Sequence, residues 1–571
     1  MPVPAILRRY SPDVWSFLET ELFKVKTARF FLHFQHFYYI LRWSILRKEG
    51  IPVFELFRNL PALAADPVGQ LTPLDAVASI NKFLNNIVWG WPALILLAFV
   101  GVFMTCHTKF FQISHFGHWM KQTIGSIFHK EVSGHTQDQS ISQFQSLCTA
   151  LAATVGTGNI VGVAGAIMAG GPGAVFWMWL IAFFGMMTSY AENVLGIFYR
   201  RKNSAGEWSG GAMYYLRDGL GSKKGCKTLG LALAVLFSAL CFLASFGIGN
   251  MTQINSISGN MKSVFGVPTW VTGLAVVILA GLVILGGLKR IASVTEKIVP
   301  FMVILYIAGS VAIFCLNISM TGPVFKAIFS RAFSLEAAAG GAAGTVMKLA
   351  IEQGMKRGVF SNEAGLGSSV MANSSSNVKE PVRQGMWGIF EVFADTIIVC
   401  TLTAFSVLSS GLVDLETGLT TAAYNGTELS GANLVGTVFS IHFGFAGAAF
   451  VAISVMLFAF STCLGWSHYG SKACEFLFGE KITKVYQAVF VLATFGGAVM
   501  GENLAWDIAD TLNGMMMLPN LVGVLALSPV VAAVTRNYVE RKFRGSAVEP
   551  MLSNFEEIQK EAAAAVKAGE Q

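Results

Sequence analysis

Apolar stretches long enough to cross a bilayer, about 20 residues each, recur along this chain with short polar intervals between them. One covers 87–105, and ten more lie near 143–169, 174–199, 229–258, 269–288, 294–318, 346–375, 385–411, 445–470, 485–500 and 507–534. The pattern predicts an all-α polytopic membrane protein of about 11 transmembrane helices, the last ten forming a core. A short helix is expected over 434–444, on the outer surface ahead of the eighth core helix. The chain then divides into an N-terminal basic and aromatic extension (1–82), a first transmembrane helix with its cytoplasmic loop (83–140), two halves of the core (141–318 and 319–534) and a C-terminal tail (535–571). The extension sets Arg8, Arg9, Lys24, Lys26 and Arg29 ahead of an aromatic run at 30–46. That run reads as a membrane-surface helix or an extra span, and Ala62-Leu63-Ala64 leaves a cleaved leader as a further reading.

Charge orients the helices. If the first core helix runs from inside to outside, the loops and tail on the inside hold 24 of the 40 basic residues, and the outside loops hold Lys262, Lys326 and Arg331. This asymmetry is what the positive-inside rule requires, and it places the C-terminus in the cytoplasm of a multi-pass cell-membrane protein. After Ser553 the tail turns acidic and then alanine-rich, as a solvated helix or a disordered segment would. Composition agrees: 54% of residues are hydrophobic and 13% charged, against roughly a quarter charged in a soluble domain. The eight cysteines form no C-x-x-C pair, which argues against a metal or disulfide framework. No H-E-x-x-H or G-x-S-x-G motif points to an enzyme, and nothing points to a cofactor or to nucleic acid.

Within the first core span, Gly156-Thr157-Gly158-Asn159 is poor helix material, since each glycine costs about 1 kcal/mol relative to alanine in a helix interior. One reading is close packing of neighbouring helices on small residues. The other is a break. Lipid cannot satisfy the backbone groups that a break frees, so they line a protein-enclosed site. Carbonyls ending the first half-helix then face a cation, and amides starting the second face an anion. A G-x-G-x-x-G nucleotide loop does not fit, because the next glycine is Gly162 and no βαβ unit surrounds it.

The runs 145–163 (QSLCTALAATVGTGNIVGV), 170–178 (GGPGAVFWM), 210–215 (GGAMYY), 357–368 (RGVFSNEAGLGS) and 395–401 (DTIIVCT) resemble the signature segments of the alanine or glycine:cation symporter family. The resemblance spans about Val88 to Val534. It implies a secondary active transporter that carries small neutral amino acids, alanine or glycine, into the cell by alternating access with sodium as coupling ion. It also implies an inverted five-plus-five repeat with broken first and sixth core helices, as in leucine-transporter-like carriers. A proton-coupled carrier of the same fold, or a membrane sensor or channel that does not transport, are the alternatives. The chain departs from the family pattern at Ala212, where proline is usual, and over Ser369–Asn377, where an Ala/His-rich stretch is usual.

The resemblance also implies roles. Amides of Thr157 and Gly158 receive the substrate carboxylate. Carbonyls of Ala152 and Val155, with the hydroxyls of Ser461 and Thr462, hold one sodium, and oxygen-only ligands suit a hard cation. Thr154 and Asn159 serve a second ion or the substrate amine. Backbone near Phe360 and Ser361 binds the amine at the second break, with Phe360 as a cap, while Gln253 and Trp466 line the pocket. Asp395, Asn362 and Glu363 are candidates for ion or gate chemistry, because carboxylates inside spans are costly. Plainer readings stand beside these: Ser461 and Thr462 bonding the preceding turn, Gln253 bonding between helices, Phe360 packing, Trp466 as an interfacial anchor, and Glu192 pairing with Arg200 or Arg201.

Overall fold

The computed structural model describes residues 73–134, 140–335, 344–500 and 502–567. Most of the expected extension, through residue 72, lies outside them. The helices are α1 (Pro73–Val88), α2 (Trp91–His107), α3 (Gln143–Thr154), α4 (Val163–Gly170), α5 (Gly173–Phe198), α6 (Lys227–Phe246), α7 (Thr252–Phe265), α8 (Thr269–Ile284) and α9 (Gly287–Leu316). They continue with α10 (Thr321–Ala332), α11 (Thr345–Asn362), α12 (Pro381–Val392), α13 (Thr401–Leu408), α14 (Gly431–Phe443), α15 (Phe445–Phe478), α16 (Thr483–Val499), α17 (Glu502–Phe543) and α18 (Glu556–Lys567). Short turns and two hairpins, Arg201–Lys202 with Trp208–Ser209 and Ala423–Tyr424 with Thr427–Glu428, fill connections.

The chain is an all-α polytopic membrane protein. Among the described residues, seven helices are long and apolar enough to span a bilayer, and nine if each of two bent pairs counts as one span. The bent pairs are α1 with α2 (40°) and α3 with the segment Gly158–Gly170 (48°). Pro92 explains the first bend, since it lacks the N–H that would continue α1. Two expected core spans fall outside that count for physical reasons. The fourth is α8, only 16 residues long. The sixth begins as α11, which carries four charged residues, Lys348, Glu352, Lys356 and Arg357.

The molecule turns its polarity inward. On α8 and α9, Trp270, Ile278, Leu282, Phe301 and Ile304 point outward, whereas Thr272, Thr295 and Ser310 are buried. This is the arrangement that lipid favours. Inside, α5 packs along α11 and α12, and α15 packs along α6, α7 and α14. Small residues permit the close crossings: a Cβ on Gly358 would lie 2.9 Å from Ile181 Cγ2, and one on Gly385 would lie 2.7 Å from Tyr190 Cδ2. Wide π-turns interrupt four helical runs, at Gly158–Gly162, Tyr215–Leu220, Gly247–Met251 and Phe393–Cys400. After α17 the tail folds back. Met551, Leu552 and Ser553 are buried, Asn554 N–H donates to Phe198 O (2.9 Å), and α18 follows.

Candidate functional site

α3 ends where its backbone leaves the helical region, at Val155 (φ −78°, ψ 88°). In a continuous helix Gly156 N–H would meet Ala152 O. Here it is turned to Asn159 Oδ1 at 2.9 Å. The next amide, Thr157 N–H, points at Gln253 Oε1 (3.5 Å), and the Thr157 hydroxyl donates to the same oxygen at 3.0 Å. Side chains have therefore taken two amides that the last turn of α3 would have used, and the carbonyls of Ala152 and Ala153 lose their usual helical partners. Gln253 is fixed in turn by donating Nε2–H to Ile248 O (2.9 Å), a carbonyl of the π-turn between α6 and α7.

The second break follows α11. Glu363 adopts a left-handed backbone (φ 55°), and Gly365 (φ 93°) and Gly367 (φ 74°) lie in the region that disfavours any Cβ. Asn362 Oδ1 caps the turn by accepting Ala364 N–H at 3.0 Å. The Glu363 carboxylate receives the Ser368 hydroxyl (2.6 Å) and Trp466 Nε1–H (2.8 Å). Trp466, on α15, is fully buried, so it is not an interfacial anchor.

The two breaks meet face to face. A Cβ on Gly158 would lie 3.3 Å from both Phe360 Cδ1 and Ser361 Cα. Asp395 ties them together: Oδ1 accepts Asn159 Nδ2–H (2.7 Å) from the first break, and Oδ2 accepts the Ser361 hydroxyl (2.8 Å) from the second. The Thr396 hydroxyl also lies 2.8 Å from Oδ2 and accepts Asn362 Nδ2–H at 3.0 Å. Cys400 Sγ lies 3.3 Å from Asn159 Nδ2 and 3.4 Å from Ser361 Oγ. All of these residues are buried.

Of the residues singled out from the sequence, Thr157, Gly158, Asn159, Gln253, Phe360, Ser361, Asn362 and Asp395 come together here, and Thr462 faces them. A Cβ on Gly156 would run into Thr462 Oγ1, whose hydrogen goes to Phe458 O (3.0 Å). Ser461 donates to Phe458 O (2.8 Å) and contacts Met302 Sδ (3.3 Å), toward α9. Thr154 bonds Ala150 O within its own helix (3.3 Å). Glu192 has a different partner from the arginines considered above: Asn520 of α17 donates to it and, at 2.8 Å, to Gly365 O in the second break. Arg200 instead donates to the carbonyls of Ser374 (3.0 Å) and Ser376 (2.6 Å), and Arg201 pairs with Asp218 (3.0 Å).

Sequence reasoning passed over Thr396, Cys400, Ser368 and Asn520. Thr396 and Cys400 stand inside the DTIIVCT run. At the usual 100° per residue, positions 395 and 400 would point apart by about 140°. The π-turn Phe393–Cys400 narrows that angle and brings both side chains to the same joint. The unusual stretch Ser369–Asn377 is buried through Ser376, and there Asn373 donates to Glu391 (3.3 Å) and receives Gln384 Nε2–H (2.5 Å).

Two interrupted helices meeting inside lipid, with a carboxylate bridging them and carbonyls released, define a membrane carrier class with a buried polar site. The family model of the sodium:alanine symporters matches residues 74–551, and the chain belongs to the sodium:alanine symporter family. It is thereby placed among sodium-coupled amino-acid symporters. The sodium/alanine symporter AgcS of Methanococcus maripaludis is 45% identical over 468 residues, 82% of this chain and 98% of its own. An uncharacterized transporter of Haemophilus influenzae is 42% identical over 81% of this chain and 97% of its own. The probable sodium/glutamine symporter GlnT of Bacillus subtilis is 36% identical over 81% and 90%. Among solved structures, an Eremococcus coleocola manganese transporter aligns with 77% of this chain and 88% of its own at 12% identity, with a TM-score of 0.41 that supports no transfer of residue roles.

Proposed function

We propose that this protein imports small neutral amino acids, alanine or glycine, with sodium, by alternating access about the joint of its two broken helices. The observation that carries the reading is that joint: Gly158 against Phe360 and Ser361, with Asp395 bonded to both breaks. In this reading Gln253 Oε1, which now meets the amide and hydroxyl of Thr157, yields its place to a carboxylate oxygen of the substrate. The substrate amine sits at the second break, near Phe360 and Ser361. Sodium uses the carbonyls of Ala152 and Val155 with Thr462 Oγ1 and Ser461 Oγ, and Asn159 and Asp395 serve a second ion or the coupling between breaks.

Family membership and the alanine carrier at 45% identity support alanine over larger substrates, and so does the tight contact at Gly158. A cytoplasmic C-terminus, on the strength of the basic-residue asymmetry, and the five-plus-five inverted repeat that the family resemblance implies complete the proposal. The test is uptake of labelled alanine and glycine into proteoliposomes with and without a sodium gradient at constant pH. Accumulation without sodium, or none with it, would refute the reading.

Thr462→Val removes the oxygen that faces Gly156 while keeping the side-chain volume. Loss of one ligand worth about 1 kcal/mol corresponds to about a fivefold higher sodium concentration for half-maximal uptake. A sodium titration unchanged in the variant would assign Thr462 only its bond to Phe458 O.

A further inference from the structure

Asp510, on α17, is buried and accepts two cations from α11: Lys356 Nζ at 2.7 Å and Arg357 Nη1 at 3.3 Å. These cations stand one helical turn before Phe360 and Ser361. The Arg357 guanidinium also lies 5.5 Å from the centre of the Phe360 ring, the ring that abuts Gly158. A charged joint between α11 and α17 therefore sits directly over the contact between the two breaks. On the proposed topology it lies on the outer side.

The corner between α1 and α2, which precedes the ten core helices, holds this joint in place. Trp89 donates Nε1–H to Asp510 O at 2.8 Å, and Asn85 donates Nδ2–H to Thr511 Oγ1 at 3.1 Å. Lys356 reaches back to Asn85 Oδ1 (3.5 Å) and lies 5.8 Å from the Trp89 ring centre. Gly514 leaves room for the approach, since a Cβ there would be 2.8 Å from Val88 Cγ2 and 3.0 Å from Trp89 Nε1. One corner thus touches both the carboxylate's backbone and one of the cations that the carboxylate binds.

We propose that Asp510 with Lys356 and Arg357 is the outer closure of the substrate path, and that Trp89 is a positioning residue that sets Asp510 for it. The inference rests on the carrier reading. Opening outward separates α11 from α17 and breaks two charge-assisted bonds. The α1–α2 corner biases that equilibrium toward the closed arrangement by restricting where Asp510 can go.

Cys400 serves as a native reporter, because it is buried beside Asn159 and Ser361 beneath the joint. A membrane-impermeant maleimide is added outside proteoliposomes of known orientation, and labelling of the Cys400 peptide is followed by mass spectrometry. Trp89→Phe keeps an aromatic ring but loses the N–H donor and part of the indole's area, and its Cys400 should label about fivefold faster than wild type or more, the shift expected for at least one hydrogen bond. Asp510→Asn should label about tenfold faster or more, and Asp510→Glu, which keeps the charge, should return toward wild type. Alanine uptake in the Trp89 variant should show a lowered KM, because more of the protein stands open to the outside, with little change in kcat.

Wild-type labelling rates in both Trp89→Phe and Asp510→Asn would overturn the proposal, as would labelling that rises only from the cytoplasmic side. Labelling does not depend on uptake. Failure of wild-type protein to transport alanine would therefore refute the carrier reading, while the labelling ratios separately decide the closure.

Discussion

Asp395→Asn should lower sodium-driven alanine uptake by about a hundredfold while leaving the protein folded, because its carboxylate is the direct bond between the two breaks. Oδ1 accepts from Asn159 at 2.7 Å, and Oδ2 accepts from Ser361 at 2.8 Å. An amide has one acceptor oxygen in place of two, so it keeps one of these bonds and points an N–H at a group that was itself donating. Hydrogen bonds to charged groups contribute about 1.5–3 kcal/mol each, and a twofold mismatch at that scale gives the hundredfold estimate. Thermal unfolding in detergent should move little, because the helices around the joint keep their apolar contacts. Uptake within about threefold of wild type would remove Asp395 from the coupling machinery. Asp395→Glu is the control: it keeps the charge but adds a methylene in a closely packed site, and it should fall between wild type and asparagine.

Gly158→Leu should abolish uptake altogether. The first added atom already stands 3.3 Å from Phe360 Cδ1 and from Ser361 Cα, and the second of these is backbone that cannot rotate away. A leucine side chain extends three further carbons into that contact, so the breaks must separate. Overpacking of this kind costs about 1–3 kcal/mol or more, and the side chain also fills the space assigned to the substrate. Binding of labelled alanine to purified protein should disappear together with transport. Normal uptake by Gly158→Leu would place the binding break elsewhere. Gly158→Ala is a graded version, where the ring of Phe360 can tilt and residual uptake is expected.

Much of this arrangement was legible in the sequence. The spans announced themselves through apolar length, and the first break through Gly156-Thr157-Gly158-Asn159, because glycine and asparagine are weak helix formers at a depth where lipid punishes loose backbone. The second break came from the resemblance, and Glu363 with the glycines at 365 and 367 takes positive φ there in the fold. What stayed hidden depends on three-dimensional placement. Thr396 and Cys400 reach the joint through a π-turn, and no ordinary helical period brings position 400 beside 395. Asn520 lies in an apolar stretch with no motif around it, yet it reaches Glu192 and Gly365 across the interior. Residue charge suggested an arginine partner for Glu192, since Arg200 and Arg201 are near in sequence. The structure commits Arg200 to carbonyls just beyond the second break and Arg201 to Asp218. The count of spans also resisted reading by composition, because α11 carries four charged residues, of which Lys356 and Arg357 meet Asp510 and Lys348 pairs with Glu352 along the same helix.

The wide turn at Phe393–Cys400 also constrains how this protein can drift over generations. Removing one amino acid between Asp395 and Cys400 would leave the two positions four apart in a regular helix, about 40° of rotation, and so keep both near one face. Straightening the turn at its present length would instead point the two side chains about 140° apart. The wide turn thus absorbs one residue beyond the regular spacing, and its backbone geometry together with its residue number sets where Cys400 stands relative to Asp395.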